Sequence, residues 1–311
     1  MNFQKSALAL IFTTAAVPAM ATDINFYGKA DVNIQQVEDS SGDSYTEVKS
    51  NASRLGVKGS QKIADDLSVV FKAEYQIDLD GDSGKGDSIT DRNQYIGLKG
   101  NWGTALLGKN DTMLKQSQGK VDLFNDWDGD IKKLWAGENR MANTLTYISP
   151  KVSGITFGAT YIASEEDGAD DGISLAAIYG DKTLKKSAFY ASVAFDSDVK
   201  GYDNQRATVQ GKVGGFVLGA VLHHQEKLAT GSELDGLLLS AKYKLSSNVT
   251  LKTQFQTAEQ DGGADLNSLS VGADYALAKN TKLYTFFTSR DLDGTTDEDP
   301  SYLAAGIQYS F

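Results

Sequence analysis

From residue 24 onward the chain keeps a two-residue rhythm. Over 24–35, Ile24, Phe26, Gly28, Ala30, Val32 and Ile34 fall on one face. Asn25, Tyr27, Lys29, Asp31, Asn33 and Gln35 fall on the other. Successive side chains of a strand point to opposite faces, so this pattern predicts a strand with one apolar and one wet side. The same alternation returns over 67–78, 249–256 and 303–311. Several of these runs reach ten residues or more, against about five or six for an ordinary globular strand. A strand crossing a bilayer at a tilt needs about 9–11. Aromatics gather near the ends of the apolar faces, as an interfacial girdle requires.

The connectors alternate as well. Short ones (65–66, 101–103, 149–151, 246–248, 279–280) take turns with longer ones rich in Asp, Glu, Gly and Ser (38–47, 79–88, 164–172, 196–204, 259–265, 291–300). Short turns at one rim and long polar loops at the other define an up-and-down barrel, and the segments number about sixteen, an even count as bacterial barrels have. A soluble sandwich would bury its apolar faces on itself and leave edges to protect, with no use for so many long, evenly spaced strands. The predicted fold is therefore all-β, a 16-stranded antiparallel transmembrane barrel. One domain, 22–311, follows from the lack of any linker or second composition regime.

Residues 1–21 break the rhythm at the start. Lys5 precedes an apolar run over 7–17, and Ala19 and Ala21 supply the small residues a signal peptidase reads. The run is too short to span a bilayer, so 1–21 is expected to be a cleaved secretory leader. Its loss leaves 290 of 311 residues, roughly 18 per strand and connector. It removes one of the 30 Lys and Arg and none of the 41 Asp and Glu, for a mature charge of −12. So acidic a chain is a poor nucleic-acid binder. The absence of Cys excludes disulfides and thiolate chemistry. Mean hydropathy is −0.32, the value of a soluble protein, but lipid-facing and water-facing residues cancel in such an average.

Parity then places the charges. Lys29 lies on the wet face of the first strand. In SRLGVKG, Leu55 and Val57 point out, so Arg54 points in. Arg92 is opposite in parity to Tyr95. Arg140 shares a face with Thr144 and Thr146, opposite Met141, Leu145 and Tyr147. Facing lipid at mid-membrane would cost about 2–4 kcal/mol for each. The same parity turns Ile96 and Leu98 inward with Arg92, an imperfection in that strand. Lys72, Glu74, Lys242 and Lys252 read as ordinary solvated lumen charges. An Arg cluster on neighbouring strands repels itself, and such an arrangement is useful where a water-filled constriction needs a field.

One stretch near the middle, KVDLFNDWDGDIKK (120–133), does not alternate. Both it and the DLDGD of 78–82 hint at a calcium loop, but the required Gly at the sixth position is Ile131 or Ser83, and the required Glu at the twelfth is Gly137 or Ile89. No metal site or cofactor is expected. Looser divalent bridging from acidic loops to lipopolysaccharide phosphates stays open. A hydrolase needs a nucleophile, a base and an orienting acid within reach. The two His, His223 and His224, are adjacent and point to opposite faces, and no nucleophile or phosphate motif accompanies them, so no enzyme is expected.

The order and spacing of FYGKADVN, SRLGVKG, RNQYIGLKGNWGTALLG, NRMANTLTY and the terminal AAGIQYSF resemble those of the general diffusion porins of Gram-negative outer membranes, over nearly the whole mature chain. The resemblance implies a homotrimer in the outer-membrane bilayer, beside lipopolysaccharide. It implies a third extracellular loop folded into the pore, with acidic residues facing a basic ladder. The ladder carries over to Lys29, Arg54, Arg92 and Arg140. The loop acids carry over to Asp122 and Asp126, with Asp128 and Asp130 extending the run. Phe311 resembles the signal read by the outer-membrane assembly machinery. The loop departs from the family's Pro-Glu-Phe-Gly-Gly-Asp wording. The expected function is passive diffusion of small hydrophilic solutes and ions. A barrel plugged by its own loop, structural or adhesive, is the alternative. The −12 charge favours cations and the Arg cluster anions, which leaves selectivity open.

Overall fold

The computed structural model describes residues 22–39, 41–81, 88–166, 168, 170–263, 265–292 and 299–311. The expected leader 1–21 lies outside them, as do parts of several of the expected long connectors. The strands are β1 (Thr22–Glu38), β2 (Ser44–Ser50), β3 (Arg54–Ala64), β4 (Leu67–Ile77), β5 (Ile89–Gly100), β6 (Gly103–Asp111), β7 (Arg140–Ile148), β8 (Ile155–Ile162) and β9 (Gly172–Gly180). They continue as β10 (Phe189–Ser197), β11 (Tyr202–Val213), β12 (Phe216–Lys227), β13 (Ser232–Lys244), β14 (Val249–Gln260), β15 (Asp265–Ala278), β16 (Thr281–Asp291) and β17 (Ser301–Ser310). Each pairs antiparallel with its neighbours, and β1 pairs with β17 to close the sheet.

Seventeen segments make sixteen staves. The upper half of β1 pairs with β2 (Val32 opposite Ser50) and its lower half with β3 (Lys29 opposite Arg54), so β2 and β3 are one stave broken at Asn51-Ala52-Ser53. The break is stitched to β1: Asn51 N–H donates to the Asp31 carbonyl at 2.8 Å, and Asp31 N–H donates to Ser53 Oγ at 3.0 Å. At the seam Gly28 and Phe311 exchange both backbone hydrogen bonds, at 3.0 and 3.1 Å.

Polarity is inverted relative to a soluble protein. On β1, Asp31, Asn33 and Gln35 are buried, whereas Phe26 and Ile34 are exposed. On β14, Lys252, Gln254 and Gln256 are buried between exposed Leu251 and Phe255. An exposed apolar wall around a polar interior fits a hydrocarbon surround. Aromatic pairs ring the short-turn rim: Trp102 stacks on Tyr147, Phe216 leans on Tyr243 and Tyr309 stacks on Phe311. Rings with one polar edge suit the boundary between lipid and water.

Two expectations about β5 change. Ile96 and Leu98 face outward and are exposed. The ladder runs Ala73 opposite Gln94 and Tyr75 opposite Asp91, so Glu74 faces both Arg92 and Asn93. This bulge resets the parity, so that Arg92 points inward and Ile96 and Leu98 still reach lipid. Tyr95, opposite inward-facing Lys72, turns in with it.

A polar lumen gives the barrel no apolar core of its own. The core forms where residues 112–139, between β6 and β7, fold inside and pack on the wall. Met113 and Leu114 meet Ala176 and Ala194. Val121, Ile131 and Trp135 meet Val221, Leu238 and Ala258. Phe124 and Trp127 meet Tyr284, Phe286 and Ala304. The wall makes room with glycines. A Cβ on Gly158, Gly219 or Gly236 would stand 2.1 to 2.6 Å from Met113, Val121 or Trp135.

Candidate pore constriction

The inserted segment begins with Thr112, whose hydroxyl accepts from the Lys115 N–H and caps the short helix α1 (Met113–Ser117). Tyr190 and Ser192 donate their hydroxyls to the Ser117 carbonyl and fasten the helix end to β10. The chain then crosses the lumen to β16 and returns to β12. Trp135 stacks on His223 at 5.1 Å, and Arg206 holds Glu138.

The acidic run is largely scaffold. The Asp122 carboxylate accepts from the N–H groups of Phe124 and Ile131 and from the Gln254 side chain, at 3.0 to 3.1 Å. It therefore ties the two ends of the 122–131 excursion together. Asp130 accepts from the N–H groups of Asp126 and Lys132, both at 2.9 Å. Gln254 and Gln256 donate to the Gly129 carbonyl at 2.9 and 2.7 Å. Asp128 is taken by Lys49 of β2 at 2.7 Å, with Arg290 of β16 at 3.7 Å. Burial, then the neighbouring Asp130 charge, pushes the Asp122 carboxyl well above the usual carboxylate range.

Asp126 differs. Its backbone is left-handed (φ 72°), a conformation Asp adopts more readily than most residues, and it aims the carboxylate across the lumen. Lys29 Nζ stands 3.0 Å and Arg54 Nη2 2.7 Å from the same Oδ2. Burial raises its pKa, but the two cations outweigh that and hold it below the ordinary range.

Arg92 and Arg140 lie on the same wall but are held by wall carboxylates. Arg92 donates to Glu74 at 2.8 Å and to Gln76 at 3.1 Å. Arg140 stands 3.0 Å from Asp111 and also donates to Asn93. Each of the three Arg adjoins a strand irregularity: the 51–53 break before Arg54, the bulge at Arg92, and the register shift past Met141 that follows Arg140.

Among the described residues the inserted segment borders two chambers of the lumen, of about 540 and 600 Å³. Both are lined by Arg54, Asn125, Asp126 and Trp127, which therefore stand where the chambers meet. Lys29 and Asp122 border the first; Arg92, Arg140, Asp128 and Asp130 border the second. Trp127 is fixed by stacking on Tyr284 at 4.1 Å and Phe286 at 5.2 Å, with the Lys252 ammonium 3.8 Å from its ring centre. Glu74 and Lys252, expected as solvated lumen charges, are buried and structural. Glu74 is buried and binds Tyr27, Lys72 and Arg92. Lys72 shares the wet face of the same strand, whereas Tyr27 and Arg92 come from other strands and are brought in by the register.

The sequence pattern of the Gram-negative porins matches residues 6–295. The chain belongs to the Gram-negative porin family. With its lipid-facing surface, this places it in the outer membrane. It is 28% identical over 181 residues to the major outer membrane protein P.IB of Neisseria sicca, covering 54% of this chain and 49% of that one. The counterpart of Neisseria lactamica is 29% identical over 184 residues, covering 54% and 52%. The chain thus spans about half the length of the curated relatives it matches. The solved anion-selective porin from Comamonas acidovorans superposes with a TM-score of 0.77 at 21% identity, over 93% of this porin and all of that chain. Salmonella typhi OmpF superposes at 0.73 and 20%, over 93% and 97%. At such identities the likeness concerns the fold: a closed, 16-stranded antiparallel barrel.

Proposed function

We propose that this porin is a passive, water-filled channel for small hydrophilic solutes and ions, with no covalent chemistry. The observation that carries the reading is the pair of polar chambers meeting at Arg54, Asn125, Asp126 and Trp127. A solute crossing the barrel passes alongside the ion cluster in which Asp126 contacts Lys29 and Arg54 at 3.0 and 2.7 Å. Size is filtered by the inserted segment and charge by the local field of the Asp126, Lys29 and Arg54 cluster. Arg92 and Arg140, bound to Glu74 and Asp111, extend the basic side above it. An ion passing beside these groups comes well within the ~8 Å Debye length at physiological salt, so their field is only partly screened. Asp122, Asp128 and Asp130 act as the frame that presents Asp126.

A homotrimer, contact with lipopolysaccharide and recognition of Phe311 by the assembly machinery belong to the same proposal. Phe311 is exposed at the closing seam. Planar-bilayer recording of the purified protein is the test. Large, stable conductance steps in groups of three support an open trimeric channel. A protein that inserts and gives no steps is the plugged barrel instead.

A further inference from the structure

The connector 181–188, between β9 and β10, lies at the short-turn rim, where 65–66, 101–102, 214–215 and 279–280 each take two residues. It is longer, and it is built. The Asp181 carboxylate gathers the N–H groups of Thr183, Lys185 and Lys186 at 2.9 to 3.0 Å and the Thr183 hydroxyl at 2.8 Å. Ser187 Oγ accepts from Asp181 N–H at 3.0 Å and closes the base. Leu184 sits in the left-handed region (φ 54°), costly for a branched apolar residue, yet it is only 3% exposed. Its carbonyl accepts the ammonium of Lys212 from β11.

Lys182, Thr183 and Leu184 line the 540 Å³ chamber together with Lys120 and Asp126 of the inserted segment. Two segments from opposite rims therefore converge on one space. Its charges do not balance. Asp126 is taken by Lys29 and Arg54, and Asp274 by Lys252 and Lys282 at 3.1 and 3.0 Å. Lys120, Lys182, Lys212 and Lys242 have no carboxylate within 4.0 Å among the described residues. Burial, and next the charge of Lys182, depresses the Lys120 ammonium below the ordinary lysine range, which marks the two as neighbours.

We propose that 181–188 is an inward-folded periplasmic collar forming a second charge filter below Asp126. Lys182, opposite Lys120, is its specificity-determining residue for small anions, and Asp181 is the positioning residue that aims it. This rests on the channel reading, and the experiment separates the two. Wild type, Lys182→Glu, Lys185→Glu and Asp181→Ala proteins are compared by single-channel conductance and by reversal potential under a KCl gradient. Folding is checked by heat-modifiable gel mobility.

Lys182→Glu should lower the anion-over-cation permeability ratio roughly fivefold, the effect of a two-charge change about 8 Å from the ion path in water. Lys185→Glu carries the same net charge change on the same connector, but Lys185 does not line the chamber, and it should leave the ratio unchanged. Asp181→Ala should broaden open-channel noise and move the ratio part of the way. Equal shifts from Lys182→Glu and Lys185→Glu, or none from Lys182→Glu in a conducting channel, would overturn the collar. A wild type without conductance overturns the channel reading itself.

Discussion

Arg54 and Asp126, 72 residues apart in sequence, meet at 2.7 Å between the two chambers of the lumen. Lys29, opposite Arg54 on the β1–β3 ladder, reaches the same carboxylate oxygen. Asp126→Asn keeps a side chain that tolerates the left-handed backbone and removes only the charge. One unit charge at about 4 Å in water amounts to about 1 kcal/mol, roughly fivefold in local ion occupancy. The substitution should raise the anion-over-cation permeability ratio by up to that factor. An unmoved reversal potential would remove Asp126 from the filter.

Trp127 pins the inserted segment to the wall. Trp127→Ala deletes the stack on Tyr284 and Phe286 and the cation contacts of Lys252 and Lys282. Truncations of this kind cost about 3–5 kcal/mol, here charged to the segment, since the strand ladders are untouched. The expected result is a barrel of normal thermal stability with larger, noisier conductance and faster protease nicking within 112–139. Wild-type conductance would show that the frame of Asp122, Asp130 and the Gln254–Gly129 bonds holds it alone.

The wall glycines should not respond alike. At Gly158 an added Cβ meets the terminal methyl of Met113 at 2.1 Å, the movable end of a flexible side chain. At Gly236 it meets the indole of Trp135 at 2.4 Å, and that indole is stacked on His223. Gly158→Ala should be nearly neutral, whereas Gly236→Ala should cost the packed segment about 1–3 kcal/mol as overpacking. Conductance noise and protease nicking would read the difference; equal effects would mean that the indole yields as easily as the thioether.

Asp122 and Asp126 should give opposite pH slopes. With its pKa raised in the fold, Asp122 binds a proton there that the unfolded chain gives up from about pH 4. Its contribution to stability is therefore fullest below pH 4 and falls as pH rises toward the raised value. Asp126 is depressed, so its contribution is present above about pH 4 and is lost as pH falls toward the folded value. In thermal unfolding of the detergent-solubilised protein, Asp122→Asn should flatten the decline between pH 4 and 7. Asp126→Asn should lower stability most at pH 7, by an amount that begins to shrink only as pH falls below about 4. Identical profiles for both variants would contradict the two environments.

The barrel was legible because its surround is uniform. Lipid outside and water inside impose one rule on every strand, and the alternation from Phe26 to Gln35 or Leu251 to Gln256 records it locally. Parity failed in Ile89–Gly100, where the bulge opposite Glu74 resets the faces. A bulge is a property of two paired strands and leaves little trace in one.

The sequence by itself therefore determined the strands, the wet face that carries Lys29 and Arg54, and the presence of a non-periodic acidic segment between β6 and β7. Long-range packing alone decides which of its carboxylates stays most open to the water of the lumen. Asp122, Asp128 and Asp130 look equivalent to Asp126 along the chain, yet backbone N–H groups, Gln254, Lys49 and Arg290 bury them, leaving the Asp128 and Asp130 side chains 2% exposed against 17% for Asp126. Those partners come from strands up to 162 residues away. Which charge stays in the water path is settled by that long-range competition for hydrogen bonds, and a residue's type and neighbours in sequence do not encode it.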